Sequence, residues 1–204
     1  MSEINVLVVE DDPLIAEDIR HHLTNADYSA QTVVHNKADA LAALATESPD
    51  IVLLDINLGG KLDGFEVAEA INAHYHLPFL YLTSYSTKSI VEQAKFTRPM
   101  GYILKPFDEA DLFSSIEIAL YNFAQRQKPA KLTRELINEQ ILDKLTEKEF
   151  ELLEHIFDGL TNKLMSERHF VSINTIKTHL KSIYGKLNVH SRTEAIAKIR
   201  VLLP

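Results

Sequence analysis

The sequence predicts an α/β domain, doubly wound around a five-stranded parallel sheet, followed by an all-α domain of four short helices. Two patterns lead to this prediction. Short β-branched or apolar runs alternate with helical patterns through residues 1–124, whereas only helical patterns occur from Thr146 onward. The length of 204 residues also exceeds that of one typical small domain, so two domains are expected.

The predicted strands are five apolar runs in the first part of the chain. Their starts lie 21 to 28 residues apart, which is the length that a strand, a crossover helix and two short loops require. Repeats of this kind form parallel sheets. In chain order the runs are Ile4–Val9, Ala30–Val34, Ile51–Leu54, Phe79–Leu82 and Gly101–Leu104.

Capping residues mark helix starts between these runs. Asp12 stands before Pro13, so an N-cap is followed by a proline at the first helical position. Asp108 and Asp111 bracket the first turn of another predicted helix. Both signals place a helix directly after a strand, as the α/β repeat requires.

The rest of the chain is predicted to be a linker and a helical domain. Residues 125–144 are polar, with a proline at position 129 and alternating charges, and are predicted to form a partly helical linker. Residues 145–204 are divided into four helices by their capping signals. These signals are the capping boxes Thr146 with Glu149 and Ser191 with Glu194, the caps Thr161 and Ser172, and the terminating Gly159.

Composition excludes several classes of protein. The hydrophobic fraction of 46% and charged fraction of 25% are ordinary for a globular protein, which argues against a disordered, collagenous or coiled-coil chain. The absence of cysteine excludes disulfides, thiolate zinc sites and cysteine nucleophiles. The N-terminus lacks the features of a signal peptide, and no apolar run approaches the roughly 18 residues that a membrane span needs. We therefore expect a soluble cytoplasmic protein without membrane contact.

Charge is divided unevenly along the chain. Residues 1–124 carry 7 Lys and Arg against 19 Asp and Glu, a net charge of −12, whereas residues 125–204 carry 14 against 10, a net charge of +4. Within residues 160–204 the balance is 8 basic against 2 acidic. This charge suits either a solvated helical surface or a polyanion-binding face, so any nucleic-acid contact is predicted in the C-terminal part.

Polar residues follow the ends of the predicted strands. In a parallel doubly wound sheet these ends meet at one edge, where ligands bind. None of the six glycines forms a phosphate-binding loop, so a nucleotide site is not indicated. The residues at this edge are Glu10, Asp11, Asp12, Asp55, Thr83, Ser84, Lys105 and Pro106.

Carboxylates, a hydroxyl and a lysine in one place are typical of a phosphoryl-transfer site. We predict that Asp11 and Asp12 bind Mg²⁺ through their oxygens and that Asp55 is the nucleophile that accepts the phosphoryl group. Lys105 is predicted to neutralise the phosphoryl oxygens and Thr83 to donate a hydrogen bond to them.

The helix predicted after Ser172 has two different sides. Its apolar side carries Ile173, Ile176, Leu180 and Ile183, which fix it on a core. A short helix, a tight turn and a second helix with outward hydrogen-bond donors are typical of a helix-turn-helix that contacts DNA. The polar side carries Asn174, Thr175, Lys177, Thr178, His179 and Lys181, the predicted DNA-binding residues.

Residues 1–124 resemble the receiver domain of two-component response regulators, which has a flavodoxin-like fold. The matching residues are Glu10-Asp11-Asp12, Asp55-Ile56-Asn57-Leu58, Thr83 and Gly101-Tyr102-Ile103-Leu104-Lys105-Pro106-Phe107. The resemblance implies that a sensor histidine kinase phosphorylates Asp55 and that Thr83 and Tyr102 switch together. It also implies that the main-chain carbonyl of Asn57 completes the Mg²⁺ site. The loop after Asp55 departs from the family because it lacks the usual Met-Pro pair and is one residue longer.

Residues 145–204 resemble the LuxR-type helix-turn-helix, so the whole chain resembles a NarL/FixJ-type response regulator. The resemblance implies that Lys177, Thr178 and Lys181 face bases of double-stranded promoter DNA, with Asn174, Thr175 and His179 near phosphates. It also implies pairing of two copies through the last helix on phosphorylation. Leu164-Met165-Ser166 and His169 depart from the usual Glu-Ile-Ala and leucine. The matching residues are Leu145–Glu149, Gly159–Lys163, Val171–His179, Lys186-Leu187 and Ser191–Ala195.

The sequence therefore predicts a phosphorylation-controlled transcription factor that catalyses only its own phosphoryl transfer and dephosphorylation. An aspartate-nucleophile phosphohydrolase is one alternative, but it requires a second acid where this chain has Asn57. A phosphorylation-dependent protein-interaction module is the other. The remaining histidines, including His21-His22 and His74-x-His76, are interpreted as surface residues and not as zinc ligands.

Overall fold

The computed structural model describes residues 4–25, 28–30, 32–84 and 88–203. The chain divides into two compact units, one formed by Asn5–Ala119 and a second that contains Leu120–Pro204. The division falls inside the fifth helix, a few residues before the boundary at 124 expected from the sequence. In the described part of the chain, every helix is too short or too polar to span a membrane.

The first unit is built on a parallel sheet. Its spatial order is β2-β1-β4-β5-β6, with β3 also paired to β1, and the ladders β1–β3, β1–β4, β4–β5 and β5–β6 are parallel. This is the predicted doubly wound topology, in which the order reverses beside β1. The strands are β1 Ile4–Val9, β2 Tyr28–Ser29, β3 Val33–Val34, β4 Ile51–Asp55, β5 Phe79–Thr83 and β6 Gly101–Leu104.

The second predicted strand differs from the structure. The sequence predicts one strand over Ala30–Val34, but the structure has two short strands, β2 and β3, on either side of that run's start. Gln31 lies outside the described residues. Among the described strands, β2 and β3 each pair with β1 alone and form the edge of the sheet. Edge strands are often short. Tyr28 is held by stacking on Phe113, with ring centroids 5.9 Å apart.

Five helices accompany the sheet. The predicted caps are confirmed: the Asp12 carboxylate accepts a hydrogen bond from the Leu14 N–H at 2.9 Å, and Asp108 accepts from the Asp111 N–H at 2.8 Å. All five residues of β4 and of β5 are buried, as expected for strands covered on both faces. The helices are α1 Pro13–Asn25, α2 Lys37–Thr46, α3 Gly64–Ala70 with a π-helical turn Ile71–Tyr75, α4 Lys88–Phe96 and α5 Glu109–Gln127.

The second unit is helical, and its capping signals were predicted well. Thr146 and Glu149 form a reciprocal capping box, and Thr161, Ser172 and Ser191 each accept a hydrogen bond from the N–H three residues later. Glu194 differs from the prediction, because its carboxylate accepts from the His190 N–H at 2.7 Å. The helices are α6 Arg134–Gln140, which lies in the predicted linker, α7 Glu147–Phe157, α8 Asn162–His169, α9 Ile173–Leu187 and α10 Arg192–Leu202.

Candidate functional site

Lys105 connects two carboxylates at the carboxyl edge of the sheet. Its Nζ lies 2.5 Å from Asp55 Oδ2 and also forms a hydrogen bond with Glu10, and all three side chains are buried. Burial alone would lower the pKa of Lys105, but the hydrogen bonds that Lys105 donates to Asp55 and Glu10 outweigh this effect, and the pKa is raised. The lysine is therefore a fixed cation next to the predicted phosphoacceptor.

Three carboxylates converge beside this lysine. Oxygen atoms of Glu10, Asp11 and Asp55 lie within 4.8 Å of one another. Burial raises the pKa of Glu10 to about 6, although Lys105 opposes the shift. Asp11 also accepts a hydrogen bond from the Gly59 N–H at 2.9 Å. A set of carboxylate oxygens at this spacing suits a hard divalent cation such as Mg²⁺.

Asp12 does not belong to this group of carboxylates. Its side chain is exposed and accepts hydrogen bonds from the N–H groups of Leu14 at 2.9 Å and Ile15 at 3.4 Å, so it caps α1. The sequence analysis assigned Asp12 to the metal and gave Glu10 no role, whereas the structure brings Glu10 to the site. Glu10 directly follows β1, and its side chain is almost fully buried. Its place at the strand end was the signal available in the sequence.

The loop after Asp55 is ordered by its glycines. The Asn57 N–H donates to Asp55 Oδ1 at 3.0 Å, which places Asn57 beside the predicted phosphoacceptor. Leu58 and Lys61 then form a tight turn, with the Leu58 N–H donating to the Lys61 carbonyl at 2.8 Å. Gly59 and Gly60 occupy the two left-handed positions of this turn, at φ of 65° and 83°. Although this loop lacks the family's Met-Pro pair, it brings the Gly59 N–H to the Asp11 carboxylate.

Thr83 and Tyr102 are in contact. Thr83 is fully buried at the end of β5, and the Tyr102 hydroxyl on the neighbouring β6 shares a hydrogen bond with it. Partial burial raises the pKa of Tyr102. The Tyr102 ring also meets the Tyr81 ring edge-on at 6.1 Å. The peptide between Lys105 and Pro106 is cis. The two residues expected to switch together are therefore hydrogen-bonded partners.

Helices α8 and α9 form a helix-turn-helix. The turn begins at Phe170, whose left-handed backbone at φ 54° ends α8, and Ser172 caps α9. Ile176, Leu180 and Ile183 are buried, which confirms the predicted apolar side of α9. On the opposite side Asn174, Thr175, Thr178 and Lys181 are exposed, and Lys177 and His179 are partly buried.

Two of the predicted DNA-binding residues also have local partners. The Thr178 hydroxyl donates to the Asn174 carbonyl at 2.9 Å, and Thr175 forms a hydroxyl hydrogen bond with Ser172 at 2.9 Å. These bonds fix the two threonine side chains near the start of α9. Lys181 remains the exposed cation one turn further along. The structure thus brings the six predicted residues onto one side of a single helix.

Glu149 anchors α9 to α7. It is buried, and its carboxylate accepts hydrogen bonds from the Thr146 N–H at 2.8 Å, the Ser182 hydroxyl at 2.7 Å and the Lys186 Nζ at 2.6 Å. Burial alone would raise the pKa of Glu149, but these donors lower it to about 2, with Lys186 the largest opposing influence. The charge on Glu149 therefore helps to hold α9 in place.

Replacing Glu149 with glutamine is expected to lower the free energy of unfolding of the helical unit by about 2–3 kcal/mol at neutral pH, because charge-assisted hydrogen bonds are lost. The folded-state pKa lies below the usual value, so the stabilisation is present above pH 4.5 and fades as the pH falls toward 2. Urea unfolding at several pH values measures this difference. Glu147→Gln, an exposed change in the same helical turn, is the control. Equal stability of both variants at pH 7 would contradict this account.

Two buried histidines were missed by the sequence analysis. His155 is 6% exposed, and the side chain of His169 is 8% exposed. The interpretation of the remaining histidines as surface residues is therefore wrong for this pair. The available signal was the departure of His169 from leucine in a helix that packs under α9.

Comparisons with known proteins agree with this geometry. Residues 6–117 match the response regulator receiver domain, and residues 143–199 match the LuxR family of bacterial regulatory proteins. A nitrate/nitrite response regulator protein homolog of Haemophilus influenzae is 30% identical over 95% of this chain and 94% of its own length. The transcriptional regulatory protein YdfI of Bacillus subtilis is 29% identical over 94% of this chain and 92% of its own length.

A solved structure gives the same result for the first unit. The signal receiver domain of a modulated diguanylate cyclase from Desulfovibrio desulfuricans is 35% identical, with a TM-score of 0.56. The match covers 60% of this chain and 97% of that domain. The chain belongs to the transcriptional response regulators of two-component systems, in which a receiver domain is joined to a LuxR-type DNA-binding domain.

Proposed function

We propose that a sensor histidine kinase transfers a phosphoryl group to Asp55 of this regulator and that the phosphorylated form controls transcription in the cytoplasm. The observation that carries the proposal is the contact between Lys105 Nζ and Asp55 Oδ2 at 2.5 Å, beside the carboxylates of Glu10 and Asp11. A buried lysine against a carboxylate, beside further carboxylates, is the arrangement that phosphoryl transfer to aspartate requires.

The donor set at this edge of the sheet fits Mg²⁺. Glu10, Asp11 and Asp55 would hold the ion, with the carbonyl of Asn57 as a further oxygen ligand. Mg²⁺ bound there neutralises charge on the transferred phosphoryl group. Asp12, which caps α1, supports the position of Asp11 and has no direct contact with the ion in this proposal.

The residues of the chain have separate roles in the transfer. A carboxylate oxygen of Asp55 forms the new bond to phosphorus as the bond between phosphorus and the kinase's histidine nitrogen breaks. Lys105, kept protonated by its two carboxylate partners, then pairs with a phosphoryl oxygen. The buried Thr83 hydroxyl donates to another phosphoryl oxygen, and its hydrogen-bonded partner Tyr102 moves with it. This movement is the proposed switch.

The helical domain is the proposed output. We assign residues 1–124 to the receiver, 125–144 to the linker and 145–204 to DNA binding. Phosphorylation changes pairing of two copies through α10, and a two-fold pair matches two half-sites of promoter DNA. On each half-site Lys177, Thr178 and Lys181 contact bases in the major groove, while Asn174, Thr175 and His179 contact phosphates.

Intact-mass measurement tests the phosphoacceptor. Wild-type protein and Asp55→Asn are incubated with Mg²⁺ and acetyl phosphate, a small phosphodonor. We expect one phosphoryl group per wild-type chain and none on Asp55→Asn, which keeps the shape of the side chain but removes the nucleophile. A phosphoryl group on the variant, or none on wild type with excess donor and Mg²⁺, would refute the assignment of Asp55.

A further inference from the structure

A second group of potential metal ligands lies in the helical unit. Glu151 and His155 are four residues apart on α7 and therefore share a face, and His169 is the last residue of α8. A carboxylate oxygen of Glu151 and ring nitrogens of the two histidines lie within 4.8 Å of one another. The two rings face each other with centroids 5.1 Å apart.

Three of the four imidazole nitrogens in this group have no hydrogen-bond partner among the described residues. Within the described residues, both ring nitrogens of His155 and Nε2 of His169 are buried with no hydrogen-bonding partner. A neutral imidazole needs one acceptor and one donor for its nitrogens, and buried polar atoms are normally paired. Two neighbouring rings with unpaired nitrogens therefore indicate a missing ligand, which would take one nitrogen of each ring.

We propose that Glu151, His155 and His169 bind a divalent transition-metal ion of the Zn²⁺ class that joins α7 to the end of α8. Two imidazoles and one carboxylate are a common donor set for Zn²⁺, with water in the fourth position. Bonds of about 2.0–2.1 Å place tetrahedral ligand atoms roughly 3.3 Å apart. The distances between the three ligand atoms therefore shorten by at most about 1.5 Å on binding. This proposal is independent of phosphorylation at Asp55.

The charges around the site are mixed, and several features favour a metal ion. Burial and the positive charge of Arg168 lower the pKa of His155, which favours the neutral imidazole that binds metal, and the hydrogen bond from Lys148 lowers the pKa of Glu151. His155 lies in the last turn of α7 and His169 ends α8, and the negative ends of helix dipoles attract cations. Asp158 adds a further carboxylate, 3.9 Å from His155 Nδ1.

Lys148 already holds a positive charge at the edge of this group. Its Nζ lies 2.7 Å from His169 Nδ1 and 2.9 Å from a Glu151 oxygen. The lysine side chain is 43% exposed, so it can turn into solvent when a metal ion replaces it. We therefore expect Lys148→Gln to increase metal affinity, because the competing cation is removed.

Binding at this site stabilises the helix-turn-helix. His169 stands directly before Phe170, the left-handed residue that starts the turn to α9. An ion that joins His169 to two residues of α7 fixes the helix pair on which α9 packs. Metal loading is therefore expected to raise the thermal stability of this unit without any change at the carboxylates of the sheet.

Titration of the full-length chain with Co²⁺ tests the site, because tetrahedral Co²⁺ absorbs visible light. The protein is first freed of metals and kept in excess Mg²⁺, which occupies the oxygen ligands of the first unit. We expect one Co²⁺ per chain, displaced by Zn²⁺, and a rise in Tm of about 5 °C with Zn²⁺. Wild-type protein that shows neither tetrahedral Co²⁺ absorption nor a Zn²⁺-dependent Tm would overturn the proposal.

Three variants and two controls locate the ligands. His155→Leu, His169→Leu and Glu151→Gln are each expected to weaken Co²⁺ binding by at least about 100-fold, more than the loss of an outer hydrogen bond causes. His74→Leu and His190→Leu, both at exposed histidines, are expected to bind as wild type does. Because the Glu151 side chain is half-exposed, Glu151→Gln is expected to fold even if one of the two leucine variants does not. Unchanged binding in all three variants would assign the metal to another part of the chain.

Discussion

Asp11→Asn is expected to slow phosphorylation of Asp55 by acetyl phosphate by at least about 100-fold, because loss of a metal ligand removes several kcal/mol of charge stabilisation. Asp11 is one of the three carboxylates whose oxygens converge at the edge of the sheet. Asp12→Asn is expected to change the rate by less than about threefold, because asparagine caps a helix about as well as aspartate. The two neighbouring variants therefore separate the metal ligand from the helix cap.

The initial rate of phosphorylation, followed by intact mass at several Mg²⁺ concentrations, measures both effects. Asp11→Asn is expected to respond only to much higher Mg²⁺, whereas the Mg²⁺ dependence of Asp12→Asn stays close to that of wild type. The opposite result, with Asp12→Asn the slower variant, would support the assignment made from the sequence and contradict the geometry of Glu10, Asp11 and Asp55.

The double substitution of Lys177 and Lys181 with alanine is expected to lower the affinity for specific duplex DNA by about 100-fold, roughly tenfold for each base contact. Both residues lie on the outward side of α9, four residues apart, and Lys181 is exposed. Discrimination between the specific duplex and a scrambled one is expected to fall as well. A loss of phosphate contacts alone would instead weaken both complexes equally.

The matched control for this experiment is the double substitution of Lys131 and Lys144 with alanine. Both lysines are exposed and lie outside α9. Their loss changes the net charge of the protein by the same amount as the loss of Lys177 and Lys181. Fluorescence anisotropy with a duplex selected by the wild-type protein from a random pool gives the affinities. If the control lost as much affinity as the α9 variant, overall charge and not α9 would account for binding.

Local signals in the sequence predicted much of the fold. The caps at Asp12, Thr146, Thr161 and Ser172 were correct, because N-capping depends on residues only two or three positions apart. The buried parallel strands were also predicted, since strands covered by helices on both faces have continuous apolar sequences. The strand over Ala30–Val34 was predicted wrongly because edge strands are only weakly specified by local sequence.

The parts that were missed depend on three-dimensional arrangement. Whether Glu10 or Asp12 joins the group of carboxylates depends on the direction of the backbone after β1, which adjacent acids in a sequence do not reveal. His155 and His169 are 14 residues apart in the sequence. Their side chains come together only because α7 packs against α8. Lys105 was predicted to pair with a phosphoryl oxygen, but its hydrogen bond to Glu10 was not predicted, because it depends on the sheet order that brings the ends of β1 and β6 to one edge.

The most direct test of the account is the affinity of the full-length protein for its selected duplex before and after phosphorylation, measured beside Asp55→Asn. Phosphorylation is expected to change the affinity of wild type by at least about tenfold, within the usual range of coupling between sites, and to leave Asp55→Asn unchanged. Equal affinities of phosphorylated and unphosphorylated wild type, or the same change in the variant, would contradict control of DNA binding by Asp55.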